Sequence, residues 1–324
     1  MSLDAPDNAI AALSRAVAER PDDVRCPLAL ARACLAAQSP QQANVVLTEA
    51  LDRFPDHVEL TLAWIDAALA QGCYATALDR VRTAQAKTHD TPELRLRAAQ
   101  AYFQLGQVLG EAEVRAVPDG RAGQFVGNWL LVEPREGPDR FLCCPPASAL
   151  YQLRQALDAG LDEPAAHVLH ARIWQRIGRP QIGLAILKSR AAVLLARPGE
   201  DVLATFSDLA LEAGAMPDFL RYERLRADRQ PERREEILLA ACLTAAEQYS
   251  QRGEGGLCIQ WLSRAVRIRP NDTGVILRLA DAEWAGGQPD LATPLYQRVL
   301  SLEPAHPERG RILSNLAQTP TAEP

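Results

Sequence analysis

His167 and His170 stand three residues apart in "PAAHVLHARIWQR", a spacing at which two imidazoles on one helix can share a metal ion. A structural zinc needs four ligands and a catalytic one three, and no obvious third ligand accompanies them. Two histidines facing a packed helix are therefore expected. The other conspicuous pair is Cys143 and Cys144 in "RFLCCPP". Adjacent cysteines rarely bridge, and neither has ligand partners at a recognised spacing. The chain has seven cysteines, an odd number, with none in a CxxC, so reduced thiols packed as small hydrophobes are expected rather than a disulfide framework. The sequence holds no phosphate-binding GxxxxGK[ST], no GxGxxG and no GxSxG nucleophile turn. This inventory leads to the expectation of a protein that is not an enzyme, with no metal and no cofactor.

Composition narrows the class further. The 324 residues are 48% apolar but only 5% aromatic, so the core is to be filled with Ala and Leu, which favours helices. No basic start followed by an apolar run is present, and no stretch of eighteen apolar residues, so the expected location is the cytoplasm, without membrane contact. The net charge of −6, with acids and bases interspersed, argues against a nucleic-acid partner. Only Lys87 and Lys188 among the 35 basic residues are lysines, a preference for Arg that fits a GC-rich, bacterial genome.

The elements that would position any site repeat along the chain. Pro21 and Pro55 lie 34 residues apart, each preceded at the same distances by Ala, Leu and Ala: Ala9, Leu13 and Ala16, then Ala43, Leu47 and Ala50. Pro270 and Pro304 repeat the interval, with Cys258, Leu262, Ala265 and Ala292, Tyr296, Val299 before them. In "ILRLADAEWAGGQPDLATPLYQRVLSLEP" (276–304) a helical stretch, a Gly286-Gly287 turn, a small crossing residue Ala292, the aromatic Tyr296 and a closing Pro304 follow in order.

These residues resemble the tetratricopeptide repeat family, whose unit is a pair of antiparallel helices. The resemblance is divergent: Ile276, Ala280 and Glu283 stand where the family favours Trp, Gly and Tyr. It implies an all-α fold, a right-handed superhelical solenoid of antiparallel helix pairs, as a single array over residues 1–324 with a disordered tail at 318–324. Full units are expected to begin at Val24, Val58, Pro92, Pro164, Glu200, Leu239 and Thr273, with Gly72, Gly106, Gly178, Gly214 and Gly253 at the fifteenth place of five of them. Residues 5–20 read as the second helix of a truncated first unit, and 307–317 as a closing helix.

The unit beginning at Pro92 is interrupted. Its second helix should place a small residue at 111, where Glu111 stands; Ala149, Leu153 and Ala156 supply the pattern 38 residues later, and the next unit resumes at Pro164. Residues 107–146 are thus an insertion in the helix-to-helix turn. "EVRAV", "GQFVGNWLLVEP" and "RFLCC" read as three strands separated by "PDG" and "PREGPD", a small β-meander. Phe125, Trp129, Leu131 and Phe141 are its contact residues, for neighbouring helices or for a partner.

In a helix pair, places 4, 7, 8 and 11 of the first helix meet its mate, while places 2, 5, 9 and 12 form a second stripe. The resemblance implies that this stripe lines a concave groove. Leu62, Leu96, Leu243 and Leu277 stand at its fifth place, Phe103, Leu211 and Trp284 at its twelfth, and Asp208, Glu247 and Asp281 at its ninth. A surface so apolar calls for a cover, and its acids favour a basic segment with apolar anchors. The expected function is therefore a protein-interaction scaffold or adaptor that holds another protein's basic amphipathic segment. The alternative is an auxiliary or assembly subunit of an enzyme complex that contacts its partner through the meander.

Overall fold

A computed structural model describes residues 4–87, 90–109, 113–115, 122–126, 128–134, 140–196 and 198–318. Contacts divide the chain into two compact units, residues 1–193 and 194–324.

The first unit opens with α1 (Asp4–Glu19) and continues as helix pairs: α2 (Arg25–Ala36) with α3 (Pro40–Arg53), α4 (Val58–Ala70) with α5 (Tyr74–Lys87), and α6 (Pro92–Gln104), whose mate comes after the strands. The strands are β1 (Glu113–Arg115), β2 (Phe125–Val126), β3 (Trp129–Pro134) and β4 (Arg140–Cys144). Then follow α7 (Ala149–Asp158), α8 (Pro164–Arg176) with α9 (Pro180–Ser189), and the single turn α10 (Ala191–Leu194). The second unit pairs α11 (Glu200–Glu212) with α12 (Met216–Arg229), α13 (Arg234–Gln251) with α14 (Gly255–Ile268), and α15 (Thr273–Ala285) with α16 (Pro289–Leu302), and ends in α17 (Arg309–Gln318).

Local chemistry explains the boundaries. Prolines occupy the first turns of α3, α6, α8, α9 and α16, where a missing N–H costs nothing. Thr91, Ser148 and Asp272 cap α6, α7 and α15 by accepting the amides of Leu94, Tyr151 and Val275. All seven fifteenth-place residues are left-handed, from φ 56 at Gln38 to φ 83 at Gly178. Each first helix ends with the same closing bond: Ser39, Cys73, Gln107, Arg179, Ala215, Glu254 and Gln288 donate to carbonyls five residues back, at 2.8 to 3.0 Å. Five first helices start where the repeat phase places them, and α2 starts one residue after Val24. The exception is α13, which begins five residues before Leu239: Pro231 opens a 3₁₀ turn over Pro231–Arg233, and Glu235 and Glu236 in the following turn favour an early helix start. Repeat phase records packing rather than helix ends.

Alanine and leucine do fill the interior. Ala43, Leu47, Ala77, Ala149, Leu153, Ala292 and Tyr296 are all fully buried where the helices of a pair cross.

The insertion departs from the expected meander in two ways. The run "GQFVGNWLLVEP" is two strands, β2 and β3, paired Phe125 to Leu130 and Val126 to Trp129, because Gly-Asn is a two-residue hairpin signal inside an apolar run. The sheet order is β1-β4-β3-β2, all antiparallel, so only β2–β3–β4 is a meander, and β1 lies against the far side of β4. Residues 116–120, most of "PREGPD" (135–139) and tail residues 319–324 lie outside the described residues; Gln318 belongs to α17.

Candidate interaction surface

The sheet is held by its own repeats. Leu130, Val132 and Cys144 are buried in the same core as Tyr102 of α6 and Tyr151 of α7. Phe125 meets Tyr151 edge-on, with ring centroids 5.2 Å apart. Arg179, after α8, reaches Glu133 of β3 at 3.5 Å. Leu131 is also buried, with its side chain on the opposite face from Leu130, while Trp129 and Phe141 are half-buried.

The residues with chemical potential are occupied separately. His167 Nε2 lies 2.7 Å from Asp162 Oδ1, and the bond from His167, helped by Arg190, holds that carboxyl below its usual range. His170 Nε2 instead accepts the indole N–H of Trp174 at 3.1 Å. Burial, with Arg154 and His167 nearby, lowers the His170 pKa to about 4. Among the described residues no group of three or more His, Cys, Asp or Glu could hold a metal. Cys143 and Cys144, neighbours on β4, point to opposite faces and are both buried.

Along the first helices of the first unit, Leu62 is half-buried, Leu96 is fully packed at 1% exposure, and Phe103 is half-buried beneath Arg176. The Arg176 guanidinium sits 4.3 Å from the Phe103 ring centre and donates to its carbonyl at 2.5 Å. In the second unit Asp208 and Glu247 are exposed, Leu211, Leu243 and Trp284 are half-buried, and Leu277 is packed at 6%. Trp284 stands against Tyr296 at 6.3 Å within the last core cluster, which also holds Leu277 and, from α17, Ile312. Leu96 and Leu277 thus contribute packing more than surface.

Asp281 is half-buried, where Asp208 and Glu247 are exposed. It takes both guanidinium nitrogens of Arg311 at 2.7 and 2.9 Å, and the Tyr296 hydroxyl donates to it at 2.7 Å. The same arrangement ties Asp66 to Arg97, at 3.0 Å for both contacts. Asp66 and Asp281 share the ninth place, and their arginines follow 31 and 30 residues later, on the next first helix or the closing helix. A ninth-place acid with an arginine one repeat on is a tie between successive helices, a signal legible as a spacing. Arg97 and Arg311 are the residues that spacing would have found.

No helix among the described residues is long and apolar enough to cross a membrane. Residues 1–57 match a family model described as tetratricopeptide repeat. No curated protein matches the chain. Solved structures similar in fold include the APC/C hetero-tetramer Cut9–Hcn1, at 12% identity and TM-score 0.49 over 96% of this chain. This chain spans about half, 52%, of that one. A tetratricopeptide repeat protein from Parabacteroides merdae is similar at 10% identity and TM-score 0.42, over 91% of this chain and 97% of its own. Yeast Tom70 is similar at 10% and 0.44, over 96% and 58%.

Proposed function

We propose that this chain of helix pairs, whose residues 1–57 match the tetratricopeptide repeat model, is a non-catalytic scaffold or adaptor that holds another protein's segment along its first helices. The observation that carries this reading is the half-buried apolar row of the second unit, Leu211, Leu243 and Trp284, with the exposed carboxylates of Asp208 and Glu247 beside it. Half-buried aromatic and aliphatic side chains flanked by charge are what an amphipathic segment needs for anchors and orientation. Arg311 pairs with Asp281, so the exposed carboxylate of Glu247 is the one that would steer a basic segment.

Affinity capture followed by mass spectrometry identifies the partner, and titration of its isolated segment then tests the site. Trp284→Ala is expected to weaken binding by about 2 kcal/mol, as loss of a buried aromatic anchor does. Replacing Glu247 with Gln is expected to slow association and flatten its salt dependence. A lower melting temperature with unchanged affinity would assign Trp284 to the core alone.

A further inference from the structure

The second helices of the second unit form a surface of a different character. Two adjoining cavities of about 520 and 240 Å³ lie between α12 and α14, and both are lined by Leu220, Arg224, Trp261 and Arg264. Arg221 extends the wall at one end and Arg267 at the other, so each helix contributes two arginines three residues apart. The floor is apolar, with Leu238, Ala241, Cys242 and Ile268. Arg224 and Arg264 stand close enough to the floor for their charges to oppose the upward shift that burial gives the Cys242 thiol.

These arginines are treated unlike their neighbours. Arg226, Arg233, Arg234, Arg269 and Arg311 each hold a carboxylate. None of the four cleft arginines makes an ion pair among the described residues, although the chain carries a net charge of −6. Glu223, the one acid lining the cleft, is buried and engaged by Arg226 at 2.7 Å and Ser207 at 2.5 Å. The Arg264 guanidinium stands over Trp261, 4.2 Å from the ring centre, a contact that restrains it while its donors remain for a planar acceptor. Four cations gathered over an apolar floor repel one another until an anion joins them.

We propose that this cleft docks an acidic amphipathic segment of a partner protein, with an apolar side chain on the floor and carboxylates against the two arginine walls. The partner is a protein rather than a nucleic acid for two reasons. Arg264 already covers the indole face on which a base would stack, and the floor matches an aliphatic or aromatic anchor better than a sugar-phosphate chain. The arginine walls stand on second helices and the floor takes Leu238, Ala241 and Cys242 from α13, none of which belongs to the stripe of the first helices.

The test uses the whole chain and a fluorescein-labelled synthetic peptide of about sixteen residues, Leu and Phe at helical spacing among Glu. Its Lys-for-Glu counterpart and a single-stranded oligouridine of similar length are run beside it. Saturable binding of the acidic peptide is expected, weakening with added salt and falling about tenfold or more in Arg224→Glu/Arg264→Glu. The Arg224→Gln/Arg264→Gln pair, which adds no charge, is expected to fall between and decides the matter if the Glu pair loses its helical circular dichroism. Absent binding, equal affinity in wild type and the Gln pair, or tighter binding of oligouridine than of the acidic peptide would each overturn the proposal.

Discussion

The amide of Ala149 donates to the carbonyl of Gln107 at 2.9 Å, across 42 positions of sequence. In uninterrupted pairs the same two places are four residues apart: Ala43 to Ser39, Ala77 to Cys73, Cys258 to Glu254 and Ala292 to Gln288, at 3.0 to 3.2 Å. The first backbone bond of the second helix is therefore kept with 38 residues spliced inside it. Leu150 adds a bond to the Val108 carbonyl at 3.4 Å, so the insertion leaves and re-enters the helix pair at one point.

Deleting residues 108–145 joins Gln107 to Pro146 and returns Ala149 to four residues from Gln107. Pro146 then takes the first helical position that Pro40, Pro180 and Pro289 occupy elsewhere. The shortened protein is expected to stay folded, with a higher helical signal per residue in circular dichroism. Its melting temperature is expected to fall, because Tyr151 loses Phe125 and the core loses Leu130, Val132 and Cys144. Loss of helical signal or of solubility would make the sheet a structural plug.

Gln38 is the only non-glycine among the described residues with positive φ, at 56°. A side chain there opposes the left-handed turn that glycine supplies in the other six pairs. Gln38→Gly is expected to stabilise the protein by a few tenths to about 1 kcal/mol in chemical denaturation, the relief of left-handed strain being partly offset by glycine's greater freedom when unfolded. A destabilised variant would show that the turn is not strained.

The fold was legible wherever packing repeats. Ala, Leu and Gly at fixed places mark crossings and turns that no other residues fill as well, and the phase break at Glu111 located the insertion. Inside the insertion the Gly-Asn hairpin signal of "GQFVGNWLLVEP" was legible though masked by the apolar run around it, whereas the partner of "EVR" was not, because it depends on contacts that alternation does not encode. The candidate surface was legible only by place. Place 9 of a first helix names a direction, but whether Asp281 meets solvent or Arg311 depends on the next element along. The four arginines of the cleft sit on second helices, whose outer faces the repeat pattern leaves unconstrained.

Glu283 occupies a place where the family favours tyrosine. It is 7% exposed, its Oε2 has no hydrogen-bond partner, and burial raises its pKa. A folded-state pKa raised above the unfolded value makes an acid's contribution most favourable at low pH and erodes it as pH rises through the folded pKa. Glu283→Gln is therefore expected to stabilise the protein at neutral pH by about 1 kcal/mol, the scale of an unsatisfied buried acceptor. The advantage is expected to shrink as pH falls through the raised folded pKa and to be smallest below about pH 4.3, where the wild-type carboxyl is neutral in both states. An advantage that stays constant over that range would trace the effect to packing instead of charge.

His170 gives the opposite acid response. Its folded pKa of about 4 lies well below the ordinary histidine value, and its Nε2 must stay unprotonated to accept from Trp174. Between about pH 6.5 and 4 the unfolded chain binds a proton that the folded chain refuses, so stability falls as pH is lowered through that window. The loss amounts to something on the order of 3 kcal/mol at its acid end. His170→Gln, which keeps an acceptor for the indole but cannot be protonated, is expected to lower stability at neutral pH slightly and to remove that part of the acid slope. Urea denaturation of both proteins at several pH values across the window measures the difference, and parallel slopes would show that His170 titrates alike in the folded and unfolded chain.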